Sequence, residues 1–228
     1  MSDLELYIPQ NRDRLSYESA WELQKKLNQT GKKGWLVFTP PPVITLGKRI
    51  HGNFAEHLKQ TPEQIKKKGV SLLAVSRGGL ATFHGPGQLV LFPYGSLRDH
   101  TGNPRGVKTF IEKTILNLMK FIADERGHTC LLDHSVQGKL SGIWIKKTPD
   151  QDFQKILSVG IAVAKTGLEH GFALNLFSSQ KGTAWGFDQI HPCGERSTNL
   201  GFLYENCDQE MPSLDIRRRI HTLFRYLQ

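Results

Sequence analysis

The segment from Arg77 to Gln88 contains four glycines and a proline together with an arginine and a histidine. Glycine allows the backbone to adopt positive φ values and to approach a ligand closely, so this segment is a candidate binding site. The same composition is also typical of tight turns between strands, and the residues alone leave both interpretations open. It is not a Walker A loop, because no Gly-Lys-Ser/Thr follows, and it is not a dinucleotide-binding fingerprint, because no helix follows the glycines.

A second candidate for chemistry is Cys193, which lies in a proline- and glycine-containing turn, residues 191–194, among polar neighbours. A thiol in such a turn is accessible to a substrate, unlike a cysteine that serves as a small buried hydrophobic residue. A nucleophilic thiol needs a neighbour that lowers its pKa, such as a lysine, a protonated histidine or a helix N-terminus. The spacing leaves three candidates open for that neighbour: His84, His191 and Lys155.

The hydrophobic pattern of the chain predicts the elements that must position these residues. Helices and strands are mixed without a regular βαβ alternation. This pattern favours a fold of the broad α/β class and, within it, the α+β arrangement. We expect a central mixed or antiparallel sheet flanked by helices, with a hairpin that carries Lys155 at the start of its second strand. The predicted helices are 16–29, 61–69, 107–122 and a last one from residue 213; the predicted strands are 35–38, 43–46, 70–75, 89–92, 143–145, 155–163 and 172–176.

The composition narrows the function classes. A chain of 228 residues with 38% hydrophobic residues predicts one globular domain across residues 1–228. No run approaches the roughly 20 apolar residues that cross a bilayer, and the N-terminus lacks the pattern of a signal or transit peptide. We therefore expect no membrane association and a cytoplasmic location, with a trimmed mitochondrial matrix form as the alternative.

The cysteines and the charge add two further constraints. The three cysteines, Cys130, Cys193 and Cys207, form no Cys-x-x-Cys pair, which argues against a disulfide framework and a zinc site. Cys130 lies in an apolar stretch that is typical of a buried cysteine. The net charge of +9 indicates nucleic acid or an acidic protein as partner, or a solvated surface with no specific role, and composition leaves all three open.

Six segments that cover most of residues 15–200 carry a resemblance to a known family; they are 15–21, 43–47, 77–79 with 82–88, 155–156 with 158–160, 170–176 and 192–194. Together, and in this order, they resemble the lipoyl(octanoyl) transferase family, also called octanoyl-[acyl-carrier-protein]:protein octanoyltransferases. The chain departs from the family pattern at Ser141, where proline is common, and its hairpin loop from Lys146 to Gln154 is longer than usual. Neither departure touches the expected catalytic positions.

The resemblance implies a fold shared with lipoate and biotin protein ligases and a catalytic pair, Cys193 and Lys155. It also implies a substrate-binding set drawn from the glycine-rich segment and from two strands. That set consists of Arg77, Gly78, Gly79, Leu80, Ala81, Thr82, Phe83, His84, Ser158, Val159, Gly160, Gly171, Phe172 and Ala173.

The implied reaction is transfer of an octanoyl group through a thioester on Cys193, without metal or cofactor. The donor is octanoyl-acyl-carrier protein, and the acceptors are lysines in the lipoyl domains of 2-oxoacid dehydrogenase subunits and in the glycine cleavage H protein. A thioester donor requires no ATP, and a thiol is a suitable first acceptor because thiol–thioester exchange is nearly neutral in free energy. Lys155 would either stabilise the thiolate as an ammonium or serve as a base.

Three other functions compete with this interpretation. An ATP-dependent lipoate or biotin protein ligase of the same fold activates a free acid and needs no cysteine. An amidotransferase of the same fold would move octanoyl groups between two lipoyl domains. A basic nucleic-acid-binding module is disfavoured, because the chain has neither an aromatic RNA-binding motif nor a helix-turn-helix signature.

Overall fold

Two β-sheets organise the described part of the chain in this computed structural model, which describes residues 4–9, 15–50, 54–126, 131–133, 142–146, 148–178, 182–191, 199–204 and 213–228. The strands are β1 (Glu5–Tyr7), β2 (Gly34–Phe38), β3 (Val43–Leu46), β4 (Ser71–Ala74), β5 (Ala81–His84), β6 (Gln88–Tyr94), β7 (Leu131–Asp133), β8 (Gly142–Lys146), β9 (Gln154–Ala164) and β10 (Gly167–Asn175). The helices are α1 (Tyr17–Asn28), α2 (Pro62–Lys67), α3 (Leu97–Thr101), α4 (Val107–Glu125), α5 (Thr183–Phe187) and α6 (Ser213–Leu227), with a 3-10 helix at Phe54–His57.

The larger sheet has seven strands in the order β1-β2-β6-β10-β9-β8-β7, and the smaller has three in the order β4-β3-β5. The pairs β1–β2 and β3–β4 are parallel and the other pairs are antiparallel. The predicted α+β class with a mixed sheet is therefore confirmed. The separate three-stranded sheet is an addition to the one central sheet that the sequence predicts.

The larger sheet has two faces with different coverings, because successive side chains of a strand point to opposite sides. One face, which we call the core face, carries Leu89, Leu91 and Leu174, and it packs against apolar side chains of α4 and α6. The other face, which we call the site face, carries Val90 and Phe92, and it packs against α1 and part of the smaller sheet. Burial on the core face supplies most of the apolar packing that holds the strands in register.

Side chains cap the starts of helices α1 and α2. The Ser16 hydroxyl accepts a hydrogen bond from the Ser19 amide at 3.0 Å and caps α1. Thr61 and Gln64 form a capping box at the start of α2, since each side chain accepts a hydrogen bond from the other's backbone amide. These bonds satisfy amides that a helix N-terminus would otherwise leave without a partner.

The hairpin that carries Lys155 is confirmed, since β8 and β9 pair antiparallel. The pairing contains an irregularity, because Ile143 pairs with Leu157 while the next residue, Trp144, pairs with Lys155. Ile156 is thus an extra residue in β9, the arrangement of a β-bulge.

No described helix is both long and apolar enough to cross a membrane.

The main difference from the sequence prediction lies in the glycine-rich segment. Residues 81–84 form strand β5 instead of continuing a loop, and they pair antiparallel with β3. Such a four-residue strand has a weak local signal, because its stability comes from the partner strand more than from its own propensity. The short strands β1 and β7 were not predicted for the same reason, and the five-residue helices α3 and α5 are too short to show a helical hydrophobic period.

Gly87 provides a test of the close approach between the β5–β6 turn and the end of β10. It has a φ of +82°, and a Cβ at this position would lie 2.2 Å from the carbonyl oxygen of Phe177. Gly31 has a φ of +72° but nothing within 4 Å of such a Cβ. We expect Gly31→Ala to cost about 1 kcal/mol from backbone strain, and Gly87→Ala to cost about 2 kcal/mol more because overpacking is added. Urea unfolding measures both, and equal losses would contradict the close approach.

Candidate active site

Three separated motifs meet at one end of the larger sheet. Gln88, the first residue of β6, pairs with Asn175, the last residue of β10. The Gln88 side-chain amide donates to Asn175 Oδ1 at 3.0 Å, and Asn175 Nδ2 donates to the Lys155 carbonyl at 3.2 Å. Both amide side chains are buried. The glycine-rich segment is therefore joined to Lys155 through two buried side chains.

The backbone of Lys155 is also bound to the chain that follows Cys193. The Lys155 amide donates to the Asn199 carbonyl at 2.7 Å, and the Gly201 amide donates to the Lys155 carbonyl at 3.0 Å. Asn175 Nδ2 reaches the Gly201 carbonyl as well, at 3.2 Å. Cys193 itself lies outside the described residues, as do Cys130 and Cys207. Its pairing with Lys155 therefore stays a prediction.

Arg77 is buried and directs its guanidinium into the protein. Nε donates to Thr45 Oγ1 at 3.0 Å, and Nη2 donates to the Thr45 carbonyl at 2.6 Å and to the Leu80 carbonyl at 2.8 Å. Nη1 donates to the Gly78 carbonyl at 2.8 Å. Arg77 thus ties the turn at residues 77–80 to strand β3, and Gly79 completes the turn with a φ of +90°. Contact between this turn and a substrate stays a prediction.

The two predicted substrate-binding strand segments lie side by side. Ser158 pairs with Ala173, Val159 with Phe172, and Gly160 with Gly171. Val159 and Phe172 point to the core face, where Phe172 contacts Trp35 and Phe110. The neighbours of these residues along each strand, among them Ser158 and Ala173, point to the opposite, site face.

Gly160 makes room for Arg77. A Cβ at Gly160 would lie 3.0 Å from Arg77 Cδ, so the arginine side chain passes directly over this glycine. This contact brings the turn at 77–79 onto the middle of β9. The structure therefore joins the predicted sets 77–79 and 158–160, which are far apart in the chain.

The remaining predicted binding residues belong to β5. Ala81 and Phe83 are buried in an apolar cluster with Ile44 and Ile65, and Phe83 also contacts Trp185. Their side chains therefore pack the smaller sheet against the neighbouring helices. Leu80 and Thr82 are partly exposed.

His84 is buried and neutral. Its ring stacks on Tyr17 at 5.0 Å between centroids, and its Nδ1 lies 2.7 Å from Gln88 Oε1. Because the Gln88 amide nitrogen donates to Asn175, its oxygen faces His84, which assigns the proton to Nδ1. Within the described residues His84 Nε2 has no hydrogen-bond partner.

Burial, with a smaller contribution from the nearby Arg77 charge, lowers the pKa of His84 to about 3. A histidine with this pKa carries no charge at neutral pH and cannot stabilise a thiolate as a cation. Of the three candidate neighbours for the thiol, His84 is therefore disfavoured. Lys155, which is half-buried, and the exposed His191 are left.

A second polar network, which the sequence analysis missed, positions the turn at residues 77–79. Trp21 Nε1 and the Ser76 hydroxyl both donate to Glu169 Oε2, at 3.0 and 2.9 Å. His170 Nε2 lies 2.8 Å from Ser76 Oγ, and His170 Nδ1 lies 3.0 Å from the Tyr17 hydroxyl. The network links α1 to Ser76, the residue before Arg77.

The sequence contains one signal that could have indicated this network. It is a stripe of polar and aromatic residues on one face of α1, formed by Tyr17, Trp21, Gln24 and Asn28.

The Ser76–His170 pair does not serve as a nucleophile and base. The Ser76 hydroxyl already donates its hydrogen bond to Glu169, and His170 is fully buried with a φ of +58°. Burial, followed by the nearby positive charges, lowers the pKa of His170 to about 3. A base with that pKa has little capacity to accept a proton near neutrality. The network therefore has a structural role.

Comparison with known proteins gives a consistent result. Residues 16–224 match the family described as lipoyl protein ligase A/B catalytic domain. An octanoyltransferase of Dictyoglomus thermophilum is 31% identical over 217 residues, which cover 92% of this chain and 82% of that protein. An octanoyltransferase of Caldicellulosiruptor bescii is 31% identical over 212 residues, which cover 91% of this chain and 82% of that protein.

The fold is also seen in a solved structure of lower sequence identity. A bi-partite lipoate protein ligase from Thermoplasma acidophilum superposes with a TM-score of 0.58 at 14% identity, over 100% of this chain and 84% of that one. At this identity the likeness concerns the fold alone.

The buried neutral histidines predict acid sensitivity. The unfolded chain binds a proton at each histidine near pH 6.5, whereas folded His84 and His170 bind it only near pH 3. Acid therefore favours the unfolded state, and each group lowers the free energy of unfolding by up to about 1.4 kcal/mol per pH unit below pH 6.5. Urea unfolding between pH 7.5 and 5 should show this loss, and His84→Asn should make it shallower. An imidazole of His84 that titrates near pH 6.5 by NMR would contradict the burial argument.

Proposed function

Because the chain belongs to the lipoyl protein ligase A/B catalytic-domain family and to its octanoyltransferase members, we propose that it transfers an octanoyl group from octanoyl-acyl-carrier protein to a lysine of a lipoyl domain. The reaction is the first step of protein lipoylation. We further propose that residues 1–228 form one catalytic domain, which the family match over residues 16–224 supports.

The observation that carries the proposal is the hydrogen-bonded row His84–Gln88–Asn175–Lys155. It joins the glycine-rich segment, the end of β10 and the predicted catalytic lysine at one end of the larger sheet. The same lysine holds Asn199, which follows the segment with the predicted nucleophile. Such convergence of separate motifs is expected of an active site.

In the first step, the Cys193 thiolate attacks the carbonyl carbon of the octanoyl thioester. A new C–S bond forms and the bond to the carrier's thiol breaks, so the carrier leaves as a thiolate and takes up a proton. A free thiol has a pKa of about 8.5 and is largely protonated at neutral pH. The Lys155 ammonium favours the thiolate through its positive charge.

In the second step, the neutral ε-amine of the acceptor lysine attacks the acyl-enzyme. An amide bond forms, the bond to Cys193 breaks, and the amine loses a proton. Lys155, which became neutral by giving its proton to the departing carrier thiolate, accepts that proton. Cys193 leaves as a thiolate beside the Lys155 ammonium, which restores the starting state. One lysine thus acts in both steps through its two protonation states.

The ATP-dependent ligase is the weaker alternative. The octanoyltransferases are 31% identical to this chain over more than nine-tenths of its length, whereas the T. acidophilum ligase is 14% identical. The amidotransferase alternative shares the chemistry of the second step and differs in its donor, an octanoylated lipoyl domain. Omitting ATP and exchanging the donor separate the three activities.

The proposed partners are acidic proteins. A net charge of +9 favours encounter with an acidic acyl-carrier protein and with acidic lipoyl domains by electrostatic attraction. We propose 2-oxoacid dehydrogenase subunits and the glycine cleavage H protein as acceptors, and a cytoplasmic location. No nucleic acid takes part in the proposed reaction.

The proposed intermediate is tested by intact-protein mass spectrometry after incubation with octanoyl-acyl-carrier protein and without ATP. The wild type should gain one octanoyl group that hydroxylamine removes, because a thioester is labile to it. Cys193→Ala should gain none and should lose transfer by at least about a thousandfold, since no nucleophile is left.

Cys130→Ser and Cys207→Ser are the matched controls, and both should retain the adduct and the activity. Near-normal turnover by Cys193→Ala would contradict the thioester mechanism. An adduct that forms only when ATP and free octanoate are supplied would identify a ligase instead.

A further inference from the structure

The β-bulge in β9 determines which residue lies beside Lys155. In a regular register that continued from the Ile143–Leu157 pair, Trp144 would pair with Ile156, and Lys155 would lie opposite Ile145 on the other face. With the bulge, Trp144 and Lys155 are directly opposite each other and share a face of the hairpin. Bulges often redirect a side chain in this way next to functional sites.

Trp144 and Gly142 then enclose the lysine side chain. Lys155 Nζ lies 4.9 Å from the centroid of the Trp144 ring, within the range of a cation–π interaction. Trp144 is only 5% exposed, so this ring does not rearrange freely. A Cβ at Gly142 would lie 2.7 Å from Lys155 Cε, which shows that the lysine stem occupies the space above this glycine.

We propose that Gly142 and Trp144 form a slot on β8 that positions the Lys155 ammonium, and that Trp144 is a positioning residue for the reaction. The proposal rests on the proposed role of Lys155 and extends it to a residue outside the expected site. The backbone of Lys155 is held by Asn199, Gly201 and Asn175. The slot fixes the side chain, so that both ends of the lysine are constrained.

The aromatic face has a specific chemical consequence. A cation–π interaction stabilises the ammonium and has no counterpart for the neutral amine. The ring therefore favours the form of Lys155 that stabilises the Cys193 thiolate. A side chain of similar volume without a ring would fill the slot but lose this preference.

The test measures the reactivity of Lys155 as a function of pH. Trace acetylation of the intact enzyme, followed by digestion and mass spectrometry, gives a labelling midpoint for each lysine. In Trp144→Leu and Trp144→Met the midpoint of Lys155 should fall by about half to one pH unit, because the ammonium loses its partner. Trp144→Phe keeps a ring and should restore most of the midpoint. Two variants without a ring keep the test informative if one of them fails to fold.

Phe153→Leu is the matched control on the same hairpin. The Phe153 ring lies 4.7 Å from Lys146 Nζ, so this substitution removes a similar contact from a different lysine. It should leave the Lys155 midpoint unchanged. An unchanged midpoint in Trp144→Leu and Trp144→Met, or an equal fall in Phe153→Leu, would overturn the proposal.

A second readout connects the slot to catalysis. The single-turnover rate constant for octanoyl transfer should fall about three- to tenfold in Trp144→Leu. The KM for the carrier protein, measured at steady state, should stay unchanged. A normal transfer rate in Lys155→Ala would contradict the proposed catalytic role of Lys155. The shift of the Lys155 labelling midpoint in Trp144→Leu would still support the slot. A shifted labelling midpoint without any change in transfer rate would show that Trp144 does not position Lys155 for the reaction.

Discussion

The buried side-chain amide of Asn175 is the interaction on which the site depends. Its oxygen accepts a hydrogen bond from Gln88, and its nitrogen donates to the carbonyls of Lys155 and Gly201. One side chain therefore joins the end of the glycine-rich segment, the strand with the predicted catalytic lysine and the chain that follows Cys193. Removing this amide would break the hydrogen bonds that join the three segments through one side chain, and the Lys155 carbonyl would keep only the Gly201 amide of the donors named here.

Around this amide the larger sheet separates packing from chemistry. The core face supplies the apolar contacts with α4 and α6, whereas the site face carries an apolar cluster against α1 and, beside it, a group of polar contacts. Arg77 and the network of Tyr17, His170 and Ser76 belong to the second group, yet their hydrogen bonds hold backbone turns in place. Much of what appears catalytic in the sequence is thus a rigid frame for a small number of reactive groups, as preorganised sites require.

The sequence was sufficient for elements with strong local signals and insufficient for those that depend on a partner. The capped helices α1 and α2, the apolar face of α4 and the hairpin of β8 and β9 follow from local chemistry. Strand β5 is set by pairing with the distant strand β3, and the Ile156 bulge is a register shift within the hairpin that the hydrophobic pattern did not predict. The burial that makes His84 neutral comes from α1 and β6. The resemblance named Cys193, Lys155 and the binding segments, and its matching segments include Gln88 and Asn175. The roles of these two residues and of Trp144 emerged only from the contacts.

The central claim, that Lys155 is held where its charge activates Cys193, is tested most directly by the pH dependence of Cys193 alkylation with iodoacetamide. In the wild type the midpoint should lie below the free-thiol pKa of about 8.5. In Lys155→Ala it should rise by about one unit or more, and in Lys155→Arg it should stay closer to the wild type, because the charge is kept. Identical profiles for the three proteins would contradict the account and would make His191 the candidate that activates the thiol.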